Sequence, residues 1–219
     1  GKWHLGLGTT VEKNWNKEIK PGPNEVGFDY SFIFPATADR VPTVFLENHK
    51  VIGLDVNDTI AVNYKTKIGN EPTGRENSEL LKMKSTHGHD FTIVNGIGRI
   101  GYMAGGKNAR WNDEEVSFSF LNKAKQFQEE NKSHPFFLYF SLTEPHVPRM
   151  PATIFKGKSG LGLRGDAILQ LDWTVGEIMK QLKYLGLEKN TIIIFTSDNG
   201  PVLDDGYEDG AVSQLNGHT

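Results

Sequence analysis

FFLYFSL at positions 136–142 and TIIIFTS at positions 191–197 are two strongly apolar runs on which we base the fold prediction. Both are almost wholly apolar and rich in aromatic or β-branched residues, which is typical of strands buried on both faces of a sheet. Between them, apolar residues from Ile168 to Leu185 recur at helical spacing from about Gly165, and Gly186 is well placed to end that helix. A strand, a helix and a strand in this order form a right-handed crossover. We therefore predict an α/β fold with a doubly wound, mostly parallel sheet and helices on both faces.

The rest of the chain predicts one further long helix and a first half of loops and short strands. The acidic run at 113–115 has the form of a helix cap and first turn, ahead of apolar positions at helical spacing: Val116, Phe120, Ala124 and Phe127. Frequent proline and glycine break up the first hundred residues. Within them, apolar runs at 43–48 and 51–54 predict a hairpin with Asn48, His49 and Lys50 at its tip. The glycine-rich run at 96–101 could indicate a dinucleotide loop, but no clear strand–helix–strand unit surrounds it.

Composition excludes several classes of protein. The chain has 219 residues, of which 37% are hydrophobic and 11% aromatic, so it can bury a core and is not a disordered tail. Its net charge of −3 and the absence of a basic block argue against a nucleic-acid partner or an anionic membrane surface. No apolar run approaches the roughly 20 residues of a membrane span. With no cysteine, the chain has no disulfide, no cysteine-ligated zinc and no thiol nucleophile.

The residues that follow the two predicted strands are the first candidates for a site, because ligands of open α/β sheets bind at the carboxyl ends of strands. His146 follows the first strand between two prolines, and it is either a site residue or an ordinary loop histidine. Asp198 and Asn199 follow the second strand and carry the oxygen ligands that Ca²⁺ or Mg²⁺ prefers. The same residues are also common turn chemistry, and two of them cannot fill the six to eight ligand positions of Ca²⁺.

Three other polar groups are weaker candidates. Lys2 and His4 would face the same side of an extended segment, about 6–7 Å apart, as an anion clamp or as a surface pair. The run HGHD at 87–90 carries side chains that could bind a substrate or a metal, although the same pattern occurs in ordinary loops. The acidic pair at 204–205 predicts a solvated turn.

Three motifs taken in order resemble the type I sulfatases, the arylsulfatase-like members of the alkaline phosphatase superfamily. They are GKWHLG at 1–6, PHVP at 145–148 and TSDNGP at 196–201. The resemblance extends over essentially the whole chain, and it implies an alkaline-phosphatase-like α/β fold of which residues 1–219 form the central part of a single catalytic domain, truncated at both ends.

The resemblance implies a sulfuric ester hydrolase that releases sulfate from a sulfated sugar or an aryl sulfate, in a periplasmic or secreted location. Lys2 would contact the sulfate, and His4 would act as a base in sulfate release. His146 would bind the sulfate and protonate the leaving alkoxide, while Asp198 and Asn199 would ligate Ca²⁺, or Mg²⁺ in some relatives. By offset alone, Thr37 would correspond to a hydroxyl contact near the site.

The family's nucleophile is a formylglycine made from a cysteine or serine upstream of the Lys-Trp-His motif, and this chain has no cysteine. We therefore expect the formylglycine outside these residues, and we expect this segment to need the rest of its polypeptide for its fold and activity. Two alternatives stay open: a phosphatase or phosphonate monoester hydrolase of the same superfamily, and a non-catalytic protein that binds sulfated glycans.

Overall fold

Short strands and loops build the first half of the chain, and two long helices build the second. The structure is a computed structural model that describes residues 1–3, 5–10, 12–86, 88–200, 202 and 205–207. It divides into two compact units. The first comprises Gly1–Asp113 with His146–Pro148, and the second comprises Glu114–Pro145 with the described residues from Arg149 onward. The assignment of all residues to one catalytic domain stays a prediction.

The regular elements of the described residues are short in the first unit and long in the second. The strands are β1 (Phe32–Ile33), β2 (Leu46–Glu47), β3 (Lys50–Val51), β4 (Ala61–Asn63), β5 (Ile93–Val94), β6 (Ile97–Gly98) and β7 (Tyr102–Ala104). The α-helices are α1 (Pro23–Val26), α2 (Val116–Asn131) and α3 (Gly162–Tyr184), and 3₁₀ turns lie at Ser78–Leu80, Lys107–Ala109, Asp113–Glu115 and Glu188–Asn190.

The first unit contains the predicted hairpin. Strands β2 and β3 pair antiparallel around a tip at Asn48, whose φ is 54°. β1 pairs with the other edge of β2, which gives a three-stranded sheet. Strands β4 and β7 form a second antiparallel pair. The core beneath these elements is apolar and consists of Trp3, Leu7, Trp15, Ile19, Ile33, Val41, Val44, Leu46, Val51, Ile60, Met103 and Ala109.

The glycine-rich run at 96–101 belongs to a hairpin and not to a nucleotide-binding loop. Strands β5 and β6 pair antiparallel and are joined by Asn95 and Gly96, whose φ values are 56° and 77°. Two consecutive residues with positive φ are typical of a type I′ turn, for which Asn-Gly is a preferred sequence. The dinucleotide interpretation is therefore wrong.

The second unit contains both predicted helices. The buried residues of α2 include Val116, Phe120 and Ala124, as the pattern predicts. The cap assigned to Asp113 is wrong, because its carboxylate binds the Arg99 guanidinium and no side chain of the described residues caps the N-terminus of α2. At the end of α3, Gly186 has a φ of 72° and the backbone N–H of Leu187 reaches the Leu182 carbonyl oxygen, as in a Schellman motif.

The buried face of α3 is more polar than its sequence indicates. Gln170 and Thr174 are buried, whereas the predicted core residues Ile168 and Met179 are 43% and 46% exposed. Burial of the Gln170 side chain is possible because both of its polar atoms have partners. Its Nε2 donates to Ser117 Oγ at 3.0 Å, and its Oε1 accepts from the Ala152 N–H at 2.7 Å. No helix within the described ranges is both long enough and apolar enough to cross a membrane.

The two apolar runs of the sequence are not strands in the described residues. Residues 136–142 and 191–197 are not assigned to any sheet, and the paired strands are antiparallel, with parallel pairing confined to isolated bridges. Side chains of the second run are exposed, among them Ile192 at 90% and Ile194 at 82%. An apolar run becomes a central strand only where strands on both sides satisfy its backbone groups. The sheets of the described residues include neither of the two runs. The prediction that these two runs are buried parallel strands is therefore wrong for the described residues, while the mixed α/β composition of the fold agrees with the prediction.

Candidate active site

Lys2 stands beside the strand that leads into a polar cluster. It forms a parallel bridge with Phe34, which directly follows β1 and is fully buried. The neighbouring Trp3 is also buried, and its indole N–H donates to the Gly6 carbonyl oxygen at 2.8 Å. This anchors the Lys-Trp motif to the core of the first unit. His4 lies outside the described residues, so its predicted role stays a prediction.

A buried carboxylate is the centre of the polar cluster. Asp39 is 5% exposed and accepts a hydrogen bond at Oδ1 from the hydroxyl of Thr37, which is buried as well. Its other oxygen, Oδ2, lies 2.8 Å from His89 Nε2. The cluster thus joins Thr37 and His89, two of the weaker candidates of the sequence, through a carboxylate that no motif indicated.

Both ring nitrogens of His89 face hydrogen-bond acceptors. Its Nδ1 faces the backbone carbonyl oxygen of Thr86, and its Nε2 faces the Asp39 carboxylate. A carbonyl oxygen and a carboxylate are both acceptors, so both ring nitrogens must donate. This arrangement favours the imidazolium form of His89, in an ion pair with Asp39.

Opposite pKa shifts accompany this ion pair. For Asp39, burial alone would raise the pKa, but the hydrogen bonds from His89 and Thr37 and the charge of His146 outweigh it and hold the pKa below its usual value. For His89, the hydrogen bond to Asp39 raises the pKa above its usual value, in spite of burial and of the opposing charge of Arg40. Both shifts favour the charged form of the pair over the same two side chains in isolation.

His146 belongs to the first unit together with this cluster. Its side chain is exposed, and its Nδ1 lies 2.6 Å from the Val147 carbonyl oxygen. Since a carbonyl oxygen only accepts, Nδ1 donates to it, and Nε2 is the ring nitrogen that can meet a ligand. Its charge acts on the Asp39 carboxyl. The structure thus brings Lys2, His146 and the Asp39–His89 pair into one unit.

The ion pair gives a testable pH dependence of stability. Because the pKa of His89 is raised on folding, its contribution is fully present below its ordinary pKa of about 6.5 and is lost as the pH rises through the raised value. The lowered pKa of Asp39 makes its contribution present above its ordinary pKa of about 3.8 and lost as the pH falls. We expect His89→Gln to lower the melting temperature of the full-length protein more at pH 6 than at pH 8.5.

The control for this measurement is His134→Gln, at an exposed histidine after α2. We expect the same small change in melting temperature at both pH values for this variant. An equal loss at pH 6 and pH 8.5 for His89→Gln would contradict the ion pair. Three charged groups act on the ion pair and so on the pH dependence of the melting temperature: Asp39 and Arg40 act on His89, and His146 acts on Asp39.

Asp198 and Asn199 belong to the second unit, which is described by itself. Both residues are exposed. Asn199 donates from its amide to the Gly200 carbonyl oxygen at 2.7 Å, and its own carbonyl oxygen accepts from the hydroxyl of Ser197 at 2.8 Å. Across the described ranges, no group of three or more histidine, aspartate or glutamate side chains could hold a metal ion. The predicted convergence of these two residues with Lys2 and His146 therefore stays a prediction.

Asp205 is not the solvated turn residue that the sequence predicts. Its Oδ2 accepts hydrogen bonds from the guanidinium groups of Arg149 and Arg164, and both arginines are buried. Burial alone would raise the pKa of Asp205, but the two arginines hold it below the usual value. Arg149 also covers the Tyr207 ring at 5.5 Å. Asp204 of the acidic pair and His87 of the HGHD run lie outside the described residues.

Comparisons with known proteins agree with the motifs. Residues 53–218 match the family described as Sulfatase. The chain is 59% identical, over all of its residues, to an N-acetylgalactosamine-6-O-sulfatase of Bacteroides thetaiotaomicron. It is 34% identical to a human N-acetylgalactosamine-6-sulfatase over 47% of its length, covering 20% of that protein, and 36% identical to human arylsulfatase D over 48% of its length, covering 17% of that protein.

The fold is shared with a solved structure. The chain superimposes with a TM-score of 0.93 and 59% identity on a structure described under the metabolism of multiple glycosaminoglycans by Bacteroides thetaiotaomicron. The match covers 100% of this chain and 45% of that one. This likeness shows the α/β, alkaline-phosphatase-like fold class. The chain spans less than half the length of these relatives, 43% in the case of the bacterial sulfatase.

Proposed function

We propose, since this chain belongs to the sulfatase family, that the whole protein is a sulfuric ester hydrolase acting on a 6-O-sulfated N-acetylgalactosamine unit of a glycan. The observation that carries the proposal is the 59% identity to an N-acetylgalactosamine-6-O-sulfatase along the full length of this chain. The presence of Lys2, His89 and His146 in the first unit supports it, because a sulfate ester is a tetrahedral anion that cationic side chains can bind.

Lys2 and His146 are the residues that we assign to the sulfate group. The Lys2 ammonium would donate to the sulfate oxygens, on which negative charge is concentrated. His146 Nε2 would bind the sulfate and then give its proton to the sugar oxygen as the sulfur–oxygen bond breaks, so that the alcohol leaves as a neutral hydroxyl. The hydrogen bond from Nδ1 to Val147 keeps the ring oriented for this transfer. By its motif, His4 would serve as the base in sulfate release.

The Asp39–His89 pair would support this arrangement through charge and orientation. Asp39 attracts the His146 imidazolium, and His89 in turn holds the carboxylate in place. An ion pair that is already formed costs no reorganisation when the substrate binds. We therefore assign the pair a role in orienting groups around the sulfated sugar.

The nucleophile that we propose lies outside these residues. A formylglycine would supply, in its hydrated form, an oxygen nucleophile for the sulfur of the ester. The 219 residues contain no cysteine, and the Lys-Trp-His motif, upstream of which the family carries the cysteine or serine precursor, begins here at Lys2. The roles of Lys2 and His146 given above do not depend on where it lies.

Calcium, with Mg²⁺ as the alternative, is the metal that we propose for Asp198 and Asn199. Their side-chain oxygens are the donor type that hard cations prefer, but two side chains are only part of the six to eight ligands of Ca²⁺. The described residues therefore fit a partial donor set, and no step above runs through the metal. A full-length Asp198→Ala variant that retains the calcium content of the wild type would contradict this assignment.

The family resemblance also leads us to propose a periplasmic or secreted location. Fractionation of the native cells tests this directly. Recovery of the protein only from the cytoplasmic fraction would contradict the proposal.

Sulfate release by the purified full-length protein tests the function. We expect inorganic sulfate from N-acetylgalactosamine 6-sulfate, and much less from the 4-sulfated sugar. A phosphate monoester serves as the control for the phosphatase alternative. Release of phosphate without sulfate would contradict the proposal, as would binding of the 6-sulfated sugar without any turnover.

A further inference from the structure

The segment Gly98-Arg99-Ile100 lies between the two chain segments that carry Asp39 and His89. On one side, the Ile100 N–H donates to the Asp39 carbonyl oxygen at 2.8 Å, and Ile100 forms a parallel bridge with Arg40. On the other side, the Arg99 carbonyl oxygen accepts from the Phe91 N–H at 3.0 Å, two residues after His89. The backbone of this segment therefore fixes the spacing between the two members of the ion pair.

The Arg99 side chain strengthens the same connection. It is fully buried, and its Nη1 donates to the carbonyl oxygen of Ala38, the residue before Asp39, at 2.6 Å. Its Nη2 donates to the Val94 carbonyl oxygen at 3.0 Å. The Asp113 carboxylate binds both nitrogens in a bidentate pair, with Nη1 to Oδ1 at 3.0 Å. A planar guanidinium with five donors can hold two backbone carbonyls and a carboxylate together, which a lysine cannot do.

The Asp113 carboxylate is itself held in place. Trp111 Nε1 donates to Oδ1 at 3.3 Å, and the Asn95 amide donates to Oδ2 at 3.2 Å. The Trp111 ring also lies 6.0 Å from the Arg99 guanidinium carbon, within reach of a cation–π interaction. The guanidinium is thus fixed from several directions, so the Ala38 carbonyl is bound to a rigid donor.

Gly98 completes the segment from the His89 side. A Cβ built at residue 98 would lie 2.4 Å from the His89 carbonyl oxygen and 2.7 Å from Ser85 Oγ. Real Cβ atoms do not approach a carbonyl oxygen so closely, and a backbone atom cannot turn aside as a flexible side chain can. Glycine is therefore required here for the chain carrying His89 to pack directly on β6.

We propose that Gly98-Arg99-Ile100 is the positioning element of the active site, with Arg99 as a positioning residue that sets the distance between Asp39 and His89. This inference rests on the proposed function for its catalytic meaning. The glycine-rich run that resembles a nucleotide-binding loop in the sequence is then a support for a sulfate-ester site. Arg99 acts through the chain segments that carry Asp39 and His89, and its full burial keeps it from contact with a substrate.

The test compares Arg99→Lys with Arg110→Lys in the full-length enzyme. Arg110 is a matched control because it too holds a backbone carbonyl, that of Gly105 at 2.8 Å, and a carboxylate, that of Glu71 at 2.7 Å. We expect Arg99→Lys to lower kcat/KM for the 6-sulfated sugar by about 10- to 100-fold, the scale of a small misplacement in an active site. Arg110→Lys should stay within about twofold of the wild type.

A second readout does not depend on turnover. In protein labelled at histidine ¹³Cε1, the His89 resonance, assigned by its loss in His89→Gln, should move in Arg99→Lys and stay in place in Arg110→Lys. If Arg99→Lys does not fold, Gly98→Ala replaces it, with Gly53→Ala as control, where a Cβ meets the Asn108 carbonyl oxygen at 2.8 Å.

The outcomes separate the two proposals. If the wild type releases no sulfate, the proposed function fails, and the His89 resonance still decides whether Arg99 positions the pair. If the wild type is active but Arg99→Lys matches Arg110→Lys in kcat/KM and leaves the His89 resonance unmoved, the positioning role is overturned.

Discussion

Replacing His146 by alanine in the full-length enzyme should lower kcat for a sugar sulfate at least about 10²-fold, the usual scale of general acid–base assistance. The Nδ1 of His146 is committed to the Val147 carbonyl, so Nε2 is the nitrogen that can carry a proton to the leaving oxygen. A sugar hydroxyl is a poor leaving group without that proton. The measurement is the rate of sulfate release at saturating substrate. By its motif, His4→Ala should show a loss of the same order.

The choice of substrate provides the control for His146. With 4-nitrophenyl sulfate, whose leaving phenolate is stable without a proton, the loss in His146→Ala should be much smaller than with the sugar sulfate. His134→Ala, at an exposed histidine, should leave both rates unchanged. Equal losses for the two substrates would show that His146 is not the proton donor, and an unchanged kcat would remove it from the mechanism.

Replacing Asp113 by alanine should destabilise the folded protein by about 3–5 kcal/mol, the usual cost of breaking a buried ion pair from one side. The Arg99 side chain is 0% exposed and that of Asp113 is 3% exposed, so the variant leaves an uncompensated guanidinium in the core of the first unit. The urea midpoint and melting temperature of the full-length protein measure this loss.

Two further variants separate the charge from the packing at Asp113. Glu129→Ala breaks an ion pair with Lys132 in which both side chains are about half exposed, and it should cost less than about 1 kcal/mol. In Asp113→Ala combined with Arg99→Met, no charge is left unpaired, so part of the stability should return. A single Asp113→Ala variant as stable as Glu129→Ala would refute the buried pair.

Local signals in the sequence predict the elements that depend on local contacts. The hairpin around Asn48, the helix that begins at Val116 and the glycine that ends α3 are all present in the structure. Each depends on turn chemistry or side-chain periodicity within a few residues. The chain contains these signals whatever its long-range partners are.

Elements that need distant partners are predicted less well. The run at 191–197 is apolar enough for a central strand, but apolarity does not supply the neighbouring strands that would make it one. Likewise Asp113 has the form of a helix cap, and only the fold shows that Arg99, fourteen residues earlier, takes its carboxylate. Periodicity assigns Ile168 to the core of α3, where Gln170 is buried instead because its amide binds polar groups from other segments.

The candidate site shows the same division. Motif resemblance indicates Lys2 and His146, which the structure places in one unit. It does not indicate Asp39, because no local pattern marks a single carboxylate that becomes important by accepting hydrogen bonds from Thr37 and His89. The spacing between Asp39 and His89 along the chain is 50 residues, so only the fold can reveal the pair.

An experimental structure of the full-length protein with bound inorganic sulfate would show whether Lys2 and His146 bind the anion together. We expect the sulfate within hydrogen-bond distance, about 3 Å, of both Lys2 Nζ and His146 Nε2, with His89 still paired to Asp39. A sulfate bound at the active centre without contact to either Lys2 or His146 would contradict it.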